Sequence, residues 1–318
     1  MSIVDVTREL LVRYLDTWTP NALHTGRRAT FAQGWAGPAD AELAEAAVRV
    51  FAEFSDRLRG RRLSVVLVAP AVGPVTPRLA AVQAELGTPA ELSVHAVEGD
   101  PAERVAVALK AAGAAGAPVL AYLDGTASGS AVSAVRAGRP AELILAVPAG
   151  GWTAHRQALR DAGFPLTAGV ELVEAGSRGS AGARSRGPAG AGPAGAAEPA
   201  RLLAFATGSA KSLEAFKDCL WAVDEYAGVR YRDPTDPDGH LMDISLRPNP
   251  GPLRRELLAH LGTAGPTSVV DLRHFTLTET IFRASDTVRV LTALLSQGVV
   301  TRSPERGRLS GDVVIAPR

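Results

Sequence analysis

Apolar and polar positions alternate along the first half of the chain in a way that predicts strands and helices in turn. Residues 63–68 form an apolar run, which is typical of a strand buried on both faces of a parallel sheet. An Ala- and Glu-rich helical pattern over 39–58 precedes that run. Repetition of this pair predicts a parallel sheet with helices on both faces. The predicted strands are 28–33, 63–68, 92–97, 119–123 and 142–147.

The flanking patterns extend this prediction to residue 250. An amphipathic helix is predicted from Val6 to Trp18, with Pro20 ending it. A sixth strand at 202–206 and a helix at 211–223 precede a predicted hairpin of 229–231 with 241–245. A parallel sheet that closes with an antiparallel hairpin is the layout of class I S-adenosylmethionine-dependent methyltransferases. By this fold-level analogy, 1–250 is predicted to be a Rossmann-type α/β domain.

The pattern changes from Gly251 onward. Helical patterns over 253–261, 267–282 and 287–298 are followed by short apolar runs at 299–301 and 313–315. Three helices and a two-stranded wing predict a winged-helix-like module over 251–318. The module holds nine Arg against six Asp plus Glu, a net charge of +3, which is low for nucleic-acid binding. Packing on the larger domain is the favoured role, with DNA binding as the alternative.

Residues 176–199 differ in composition from the rest of the chain. They comprise Gly, Ala, Ser, Pro and Arg with one Glu. A segment with no apolar side chain larger than Ala buries too little surface to offset its ordering entropy. The sequence therefore predicts a disordered insert within the α/β domain.

Composition and charge limit the expected binding partners and cellular location. The net charge of +1 gives no global attraction to nucleic acid or membranes, and the one cysteine, Cys219, allows no internal disulfide. Asp5 and Glu9 interrupt the apolar N-terminus, so no signal peptide is predicted. No run approaches the roughly 20 apolar residues of a membrane helix. A cytoplasmic location without membrane association is expected.

The first candidate cofactor residues follow the first strand. Gly34, Trp35 and Gly37 lie where glycines let a cofactor approach the backbone before a helix N-terminus. A plain tight turn explains two glycines equally well. Methyltransferases place an acid at the start of this loop, where this chain has Gln33, and a ribose-holding acid after the second strand, where it has Ala69.

Three acids end the third and fourth strands. Glu98 and Asp100 are candidates for contact with an adenine amino group, although Asp100, Pro101 and Glu103 also fit a helix cap, which we favour. Asp124 is the candidate catalytic or acceptor-orienting carboxylate, and a turn or N-cap role is equally consistent with its position.

Other matches to known motifs fail. Asp236-Pro-Asp238-Gly239 resembles part of a calcium loop, but Pro234 and Ser245 stand where ligands belong. The six histidines are scattered without metal-ligand spacing, so no metal is expected. Cys219 lies in an apolar helix and is expected in the core.

Taken together, these segments resemble the three-Cys-motif partner protein family, TcmP. The resemblance covers nearly the whole chain in order, and includes Gln33-Gly34-Trp35-Ala36-Gly37-Pro38, where the family shows Asp-Gly-Phe-Ala-Gly-Pro-Gly. The family's Asp-Pro-Phe-Gly after the fourth strand is Asp124-Gly125-Thr126-Ala127 in this chain. The other matching segments are 13–20, 205–207, 216–221, 229–233 and 275–283.

This resemblance implies a methyltransferase-like fold and a partner bearing three cysteines, of the radical-SAM-like kind. Since Gln33 and Ala69 replace expected acids, we predict weak or absent S-adenosylmethionine binding and an accessory role. Two alternatives stay open. One is an active S-adenosylmethionine-dependent methyltransferase with a remodelled pocket in which Asp124 orients the acceptor, and the other is a DNA-binding regulator.

Overall fold

The computed structural model of the chain describes residues 2–125, 128–174, 200–223 and 228–318. The predicted insert at 176–199 lies outside the described residues. Within them, nine strands form one mixed sheet in the order β3-β2-β1-β4-β5-β7-β6-β8-β9. The strands are β1 Arg28–Trp35, β2 Arg62–Ala69, β3 Leu92–Glu98, β4 Val119–Asp124, β5 Ala141–Pro148, β6 Leu166–Glu174, β7 Ala200–Thr207, β8 Val229–Arg232 and β9 Leu241–Asp243.

The first five strands are parallel, as predicted, and of the later strands β7 and β8 run in the opposite direction while β6 and β9 run with the first five. β7 inserts between β5 and β6 and is antiparallel to both. The predicted hairpin of β8 with β9 is confirmed and extends the sheet beyond β6. The chain is therefore an α/β protein with a mixed sheet.

Helices cover both faces of the sheet because its central strands are apolar on both sides. In β1 and β2, every residue after the first is buried. One hydrophobic cluster lies under α1 Ile3–Thr25, α2 Ala41–Glu53, α3 Thr76–Leu86 and α7 Ala210–Trp221. The second lies under α4 Pro101–Ala111, α5 Gly129–Arg136 and α6 Trp152–Asp161. A short 3₁₀ helix, Ser55–Leu58, follows α2.

Two predictions from the hydrophobic pattern are wrong in detail. α1 continues past Pro20 to Thr25, because burial of Ala22 and Leu23 in the core outweighs the backbone bond that proline removes. β6 was not expected, since Gly169 and the buried polar residues Thr167 and Glu171 interrupt its apolar pattern. Gly169 is required there, because a Cβ would lie 2.9 Å from the Trp152 ring.

The C-terminal residues form three helices and, within the described chain, a second sheet of three strands in the order β10-β12-β11. The expected helices and pair of strands are present, and β10 is an addition that the sequence pattern did not predict. The elements are α8 Pro250–Ala264, β10 Thr267–Ser268, α9 Val269–Glu279, α10 Ala284–Ser296, β11 Val300–Ser303 and β12 Val314–Pro317.

These helices share their core with the large sheet. Leu253, Leu272 and Leu291 belong to the same buried cluster as Phe205 and Trp221. No separate core divides the C-terminal unit from α7 and the sheet. Among the described helices, none has the length and apolarity needed to cross a bilayer.

A buried lysine joins the two parts. Lys217 of α7 is fully buried, and its Nζ donates to the carbonyl oxygens of Leu277 at 2.6 Å, Thr280 at 2.5 Å, Phe282 at 2.9 Å and Thr276 at 3.2 Å. Burial lowers the pKa of this ammonium to about 7, while four carbonyl acceptors around α9's last turn favour its charged form. The nearby carboxylates of Asp233, Glu256, Glu279 and Asp286 also oppose the shift that burial causes.

Candidate functional site

The predicted cofactor residues meet at the carboxyl edge of the parallel strands. Trp35 at the end of β1 pairs with Asp124 at the end of β4, and Ala69 at the end of β2 pairs with Glu98 at the end of β3. This is the edge at which open α/β sheets hold their ligands. The candidate residues chosen from the sequence therefore lie at the expected edge of the sheet. The side chains at that edge determine which ligand can bind there.

Asp124 is engaged in an ion pair that the sequence did not reveal. Its Oδ1 accepts a short hydrogen bond from the Arg201 guanidinium, and its Oδ2 accepts one from the Tyr122 hydroxyl at 3.2 Å. Antiparallel pairing of β7 with β5 carries Arg201 to this edge. The N-cap of α5 is Ser128, so an N-cap role for Asp124 is wrong.

Gly34 is a packing residue in this structure. An added Cβ would lie 3.0 Å from Leu123, 3.2 Å from Val105 and 3.3 Å from Pro101, so its small size lets α4 pack closely on β1. Gly37 has open space around its Cα, with nothing within 4 Å of an added Cβ. Of the two glycines, Gly37 alone has room for an approaching ligand.

Trp35 and Gln33 point their side chains into the protein. Trp35 is 3% exposed, and its indole N–H has no hydrogen-bond partner. Gln33 is fully buried, and neither its amide oxygen nor its amide nitrogen has a partner. Buried amides without partners are costly and uncommon.

The acids after β3 differ in role. Asp100 accepts a hydrogen bond from the N–H of Ala102 at 2.9 Å and caps α4, with Pro101 in the first turn. The capping interpretation of Asp100 is therefore confirmed. Glu98 is exposed beside Ala69 and remains a candidate for contact with a ligand at this edge.

These side chains do not fit S-adenosylmethionine held by carboxylates after β1 and β2. Ala69 is fully buried at the end of β2, and Gln33 is buried in place of the loop acid. Among the acids at this edge, Asp124 is paired and Asp100 is a cap. Asp40, in the loop after β1, caps α2, and Glu98 is exposed at this edge.

A second candidate site lies between the β8–β9 connection, α8 and α9. We call it the α8–α9 cavity. Its volume is about 600 Å³, within the range of small-molecule sites. It combines carboxylates, two histidines and an apolar wall. The lining residues are Asp233, Thr235, Asp236, Pro237, Asp238, His240, Met242, Pro252, Arg255, Glu256, Ala259, His260, Thr263, Phe275 and Glu279.

Glu256 is the unsatisfied acid of this cavity. Burial raises its pKa to about 8, with a further contribution from Asp233. Its Oε2 is buried and accepts no hydrogen bond from the residues that the structure describes. Asp233, by contrast, is satisfied: its oxygens accept from the Thr235 N–H at 2.8 Å, the Thr235 hydroxyl at 2.6 Å and the Ile281 N–H at 3.2 Å. Burial also raises the pKa of Asp233.

The β8–β9 connection forms a compact turn at the cavity rim. Asp236 Oδ2 accepts from the His240 N–H at 2.9 Å and lies 2.8 Å from His240 Nδ1, and Asp236 Oδ1 accepts from the Asp238 N–H at 3.0 Å. Ligand atoms of these three residues lie within 4.8 Å of one another, a spacing that could hold a metal ion. The bonds within the turn account for this spacing without an ion.

Sequence reasoning missed the α8–α9 cavity. Its residues come from 233–242, 252–263 and 275–279, and each group alone looks like a solvated turn or helix face. The rejected calcium-loop pattern was the one signal in the sequence that pointed to its rim.

Solved structures similar to this chain include methyltransferases and a spermidine synthase. A putative methyltransferase from Thermoplasma acidophilum is 11% identical, with a TM-score of 0.32 over 56% of this chain and 67% of its own. A predicted O-methyltransferase from Agrobacterium tumefaciens is 14% identical, with a TM-score of 0.30 over 62% of this chain and 81% of its own.

Spermidine synthase from Thermotoga maritima is 14% identical, with a TM-score of 0.34 over 64% of this chain and 62% of its own, which is less than two thirds of that enzyme. No protein-family model matches the chain, and no curated protein matches it. At these identities and TM-scores, the function of these proteins cannot be transferred to the chain.

Three arginines of the C-terminal unit, Arg283, Arg289 and Arg302, are engaged by protein acceptors, while Arg306 and Arg308 of the terminal hairpin are exposed. Arg289 donates to Asp286 and to the Pro248 carbonyl, and Arg283 to Asp286 and the Leu246 carbonyl. Arg302 donates to carbonyls of its own hairpin, those of residues 304, 307 and 308. These guanidinium groups are held by the protein rather than presented together on one open face.

Proposed function

We propose that this chain is a methyltransferase-fold protein that serves as a partner, or accessory subunit, of a three-cysteine radical-SAM-like protein. In this proposal the chain does not turn over S-adenosylmethionine by itself. The observation that carries the proposal is the Asp124–Arg201 ion pair at the edge where the cofactor and acceptor would sit. The resemblance of the whole sequence to the three-Cys-motif partner family supplies the partner's class.

The sheet supports the fold assignment. Five parallel strands in the order β3-β2-β1-β4-β5 are followed by the antiparallel β7 and then β6. This matches the methyltransferase-like layout, and it needs no argument from overall similarity to any one structure. A fold of this kind hosts many activities, so the edge residues decide between enzyme and partner.

The edge residues argue against ordinary cofactor binding. A carboxylate that holds ribose hydroxyls supplies charged hydrogen bonds worth about 1.5–3 kcal/mol, and Ala69 supplies none. Asp124, tied to a half-buried Arg201, is also not a free base or acceptor-orienting group. An active enzyme would have to use Glu98 and a rearranged Asp124.

The binding test is calorimetry of the full chain with S-adenosylmethionine. We expect no binding in the micromolar range. Arg201→Ala releases Asp124, and Arg62→Ala is the control, since Arg62 is exposed at the amino end of β2, at the opposite edge of the sheet. A dissociation constant near 1 µM for the unaltered chain, about −8 kcal/mol, contradicts the proposal and favours the active methyltransferase.

The partner test mixes the purified chain with a purified three-cysteine radical-SAM-like protein from the same genome and measures complex formation by analytical ultracentrifugation. We expect a stable complex at micromolar concentration. Two non-associating proteins would refute the partner role while leaving the cofactor result intact.

We further propose that the C-terminal unit is a winged helix that serves packing rather than DNA binding. The order α8-β10-α9-α10-β11-β12 supports the winged-helix assignment, and the shared core supports the packing role. The arginines held by carbonyls and Asp286 disfavour the regulator alternative, because phosphate contacts need free guanidinium groups.

A further inference from the structure

The α8–α9 cavity is built from two unlike halves. On one side, the rings of His260 and Phe275 stack with centroids 4.1 Å apart, and Met242, Pro252 and Ala259 extend this apolar wall. On the other side, carboxylates come from the β8–β9 connection, α8 and α9. A cavity of about 600 Å³ with both halves suits a small molecule that is apolar at one end and polar at the other.

The charge of the polar half is negative. Five carboxylates line the cavity against one guanidinium, that of Arg255. Glu279 is already paired with Arg156, and Asp233 is satisfied by backbone and hydroxyl donors. The buried Lys217 lies close to the cavity, but its ammonium group donates its hydrogen bonds to four backbone carbonyl oxygens. Nothing in the described protein donates to the buried Glu256 Oε2.

The Glu256 side chain lines the cavity, and its buried Oε2, without a partner among the described residues, needs a donor; a cationic donor is the best match in a negative field. The stacked Phe275 ring offers a second contact for the same cation, or for an aromatic body attached to it. We infer that the α8–α9 cavity binds an organic cation, a primary ammonium or guanidinium group on an apolar body, with Glu256 as its pairing carboxylate.

Because Glu256 has a raised pKa, binding of a cation should release a proton and depend on pH. Burial and Asp233 raise its pKa, while Lys217 and Arg255 lower it, and the net value is about 8. Other groups facing the cavity are Asp236, Asp238, His240, His260 and Glu279. At pH 7 the empty cavity therefore holds Glu256 mostly protonated, and a bound cation displaces about 0.9 proton. Affinity should rise by several-fold from pH 6 to pH 7, approaching tenfold per pH unit.

The experiment uses the full chain with 2-phenylethylammonium and, as a probe of the same shape without charge, 2-phenylethanol. Isothermal calorimetry in two buffers of different ionisation enthalpy measures both affinity and proton release. We expect 2-phenylethylammonium to bind at least tenfold more tightly than 2-phenylethanol, with close to one proton released at pH 7.

Two variants assign the effect to Glu256. Glu256→Gln keeps the side chain's size and removes its charge, so it should weaken 2-phenylethylammonium binding at least tenfold, abolish proton release and leave 2-phenylethanol binding unchanged. Glu53→Gln changes an exposed glutamate of α2 outside the cavity and should leave all three results unaltered. Circular dichroism of each variant verifies that it is folded.

Several outcomes overturn the inference. These are equal binding of the two probes, no binding of the cation at millimolar concentration, or unchanged binding in folded Glu256→Gln. Binding that appears only with added Mg²⁺ or Zn²⁺ also overturns it, because it would assign the cavity to the Asp236–Asp238–His240 group instead. None of these results affects the S-adenosylmethionine binding test, which concerns the carboxyl edge of the parallel strands.

Discussion

Gly34 shows how one residue type serves either cofactor approach or close packing. Its missing Cβ leaves room for Leu123, Val105 and Pro101, all within 3.3 Å of where a Cβ would lie. Gly37, two positions outside the strand, has no such neighbours. The sequence marks both glycines alike, because the side chains that crowd Gly34 come from β4 and α4.

We predict that Gly34→Ala destabilises the protein by about 1–3 kcal/mol, the usual cost of overpacking a core. Gly37→Ala is the matched control and should be neutral within about 0.5 kcal/mol. Urea denaturation of both variants measures the difference. Equal stability of the two would show that α4 can move away from β1 at no cost.

Glu256 gives a prediction for stability against pH. Its pKa rises from an ordinary 4.5 in the unfolded chain to about 8 in the fold, so the folded state binds the extra proton between those values. Stability contributed by this group is therefore highest below pH 4.5 and falls as pH rises to 8. Glu256→Gln should melt above the unaltered chain at pH 8, by about 1.5 °C for each kcal/mol of stability gained, since the unfolding entropy of a chain of this length is about 0.7 kcal/mol/K.

The same comparison at pH 4.5 should show a much smaller gap in Tm, and Glu53→Gln should show none at either pH. A constant gap at both pH values would mean that the glutamine acts through packing and that the carboxyl group of Glu256 titrates normally.

Local chemistry predicted some of these residues and long-range pairing hid others. The cap formed by Asp100 was predictable, because Asp before Pro at a helix start is a signal within four residues. Arg201 was not, since its partner Asp124 lies 77 positions away and meets it through antiparallel pairing. Glu256 was equally hidden, because its burial depends on the β8–β9 connection and α9.

At the scale of elements, helix boundaries and polar strands were the least predictable features. Pro20 ends a helix in isolation, yet the buried Ala22 and Leu23 carry α1 one further turn. β6 was missed because Thr167 and Glu171 are buried in it. These polar residues break both the continuous apolar run of a fully buried strand and the alternating pattern of a half-exposed one. Glu171 is held by Arg232 of β8, a contact between strands that no local pattern contains.

The junction of α7 with α9 yields the prediction at this scale. Lys217→Met removes the donor shared by four buried carbonyls at the end of α9, and each unsatisfied buried acceptor carries a penalty. We expect a loss of about 3 kcal/mol or more in urea denaturation, because the loss of a buried charged network is among the largest single-residue effects. Lys211→Met, at an exposed position of the same helix, should change stability by less than about 0.5 kcal/mol.

A small loss in Lys217→Met would show that the methionine side chain is accommodated and that water reaches the carbonyls. In that case, the lysine is a replaceable part of the core, and the attachment of α9 depends on Trp221 and Phe282, which stack 5.7 Å apart.

For the molecule as a whole, the hydrophobic pattern predicted the parallel sheet, the closing hairpin and three C-terminal helices, because each depends on local periodicity. It divided the chain at residue 250, where the pattern changes. The buried cluster crosses that division without a gap, from the sheet through Trp221 to Leu291. The change of pattern correctly marks where the architecture changes. It does not predict which surfaces form a shared core, because that depends on contacts between the sheet and the C-terminal helices.

We therefore predict that the chain unfolds in one cooperative transition. All four tryptophans, at 18, 35, 152 and 221, precede residue 250. Tryptophan fluorescence therefore reports mainly on the sheet domain, with Trp221, which stacks on Phe282, also sensing the junction, whereas far-ultraviolet circular dichroism reports on every helix. Leu291→Ala in α10 and Leu120→Ala in β4 each truncate a fully buried leucine, at a cost of about 2–5 kcal/mol. Both variants should shift the fluorescence and dichroism transitions together, because a cavity on either side weakens the same core. If Leu291→Ala instead splits the dichroism curve while the main fluorescence transition, that of Trp18, Trp35 and Trp152, stays in place, the C-terminal unit unfolds independently and the division at residue 250 is a true domain boundary.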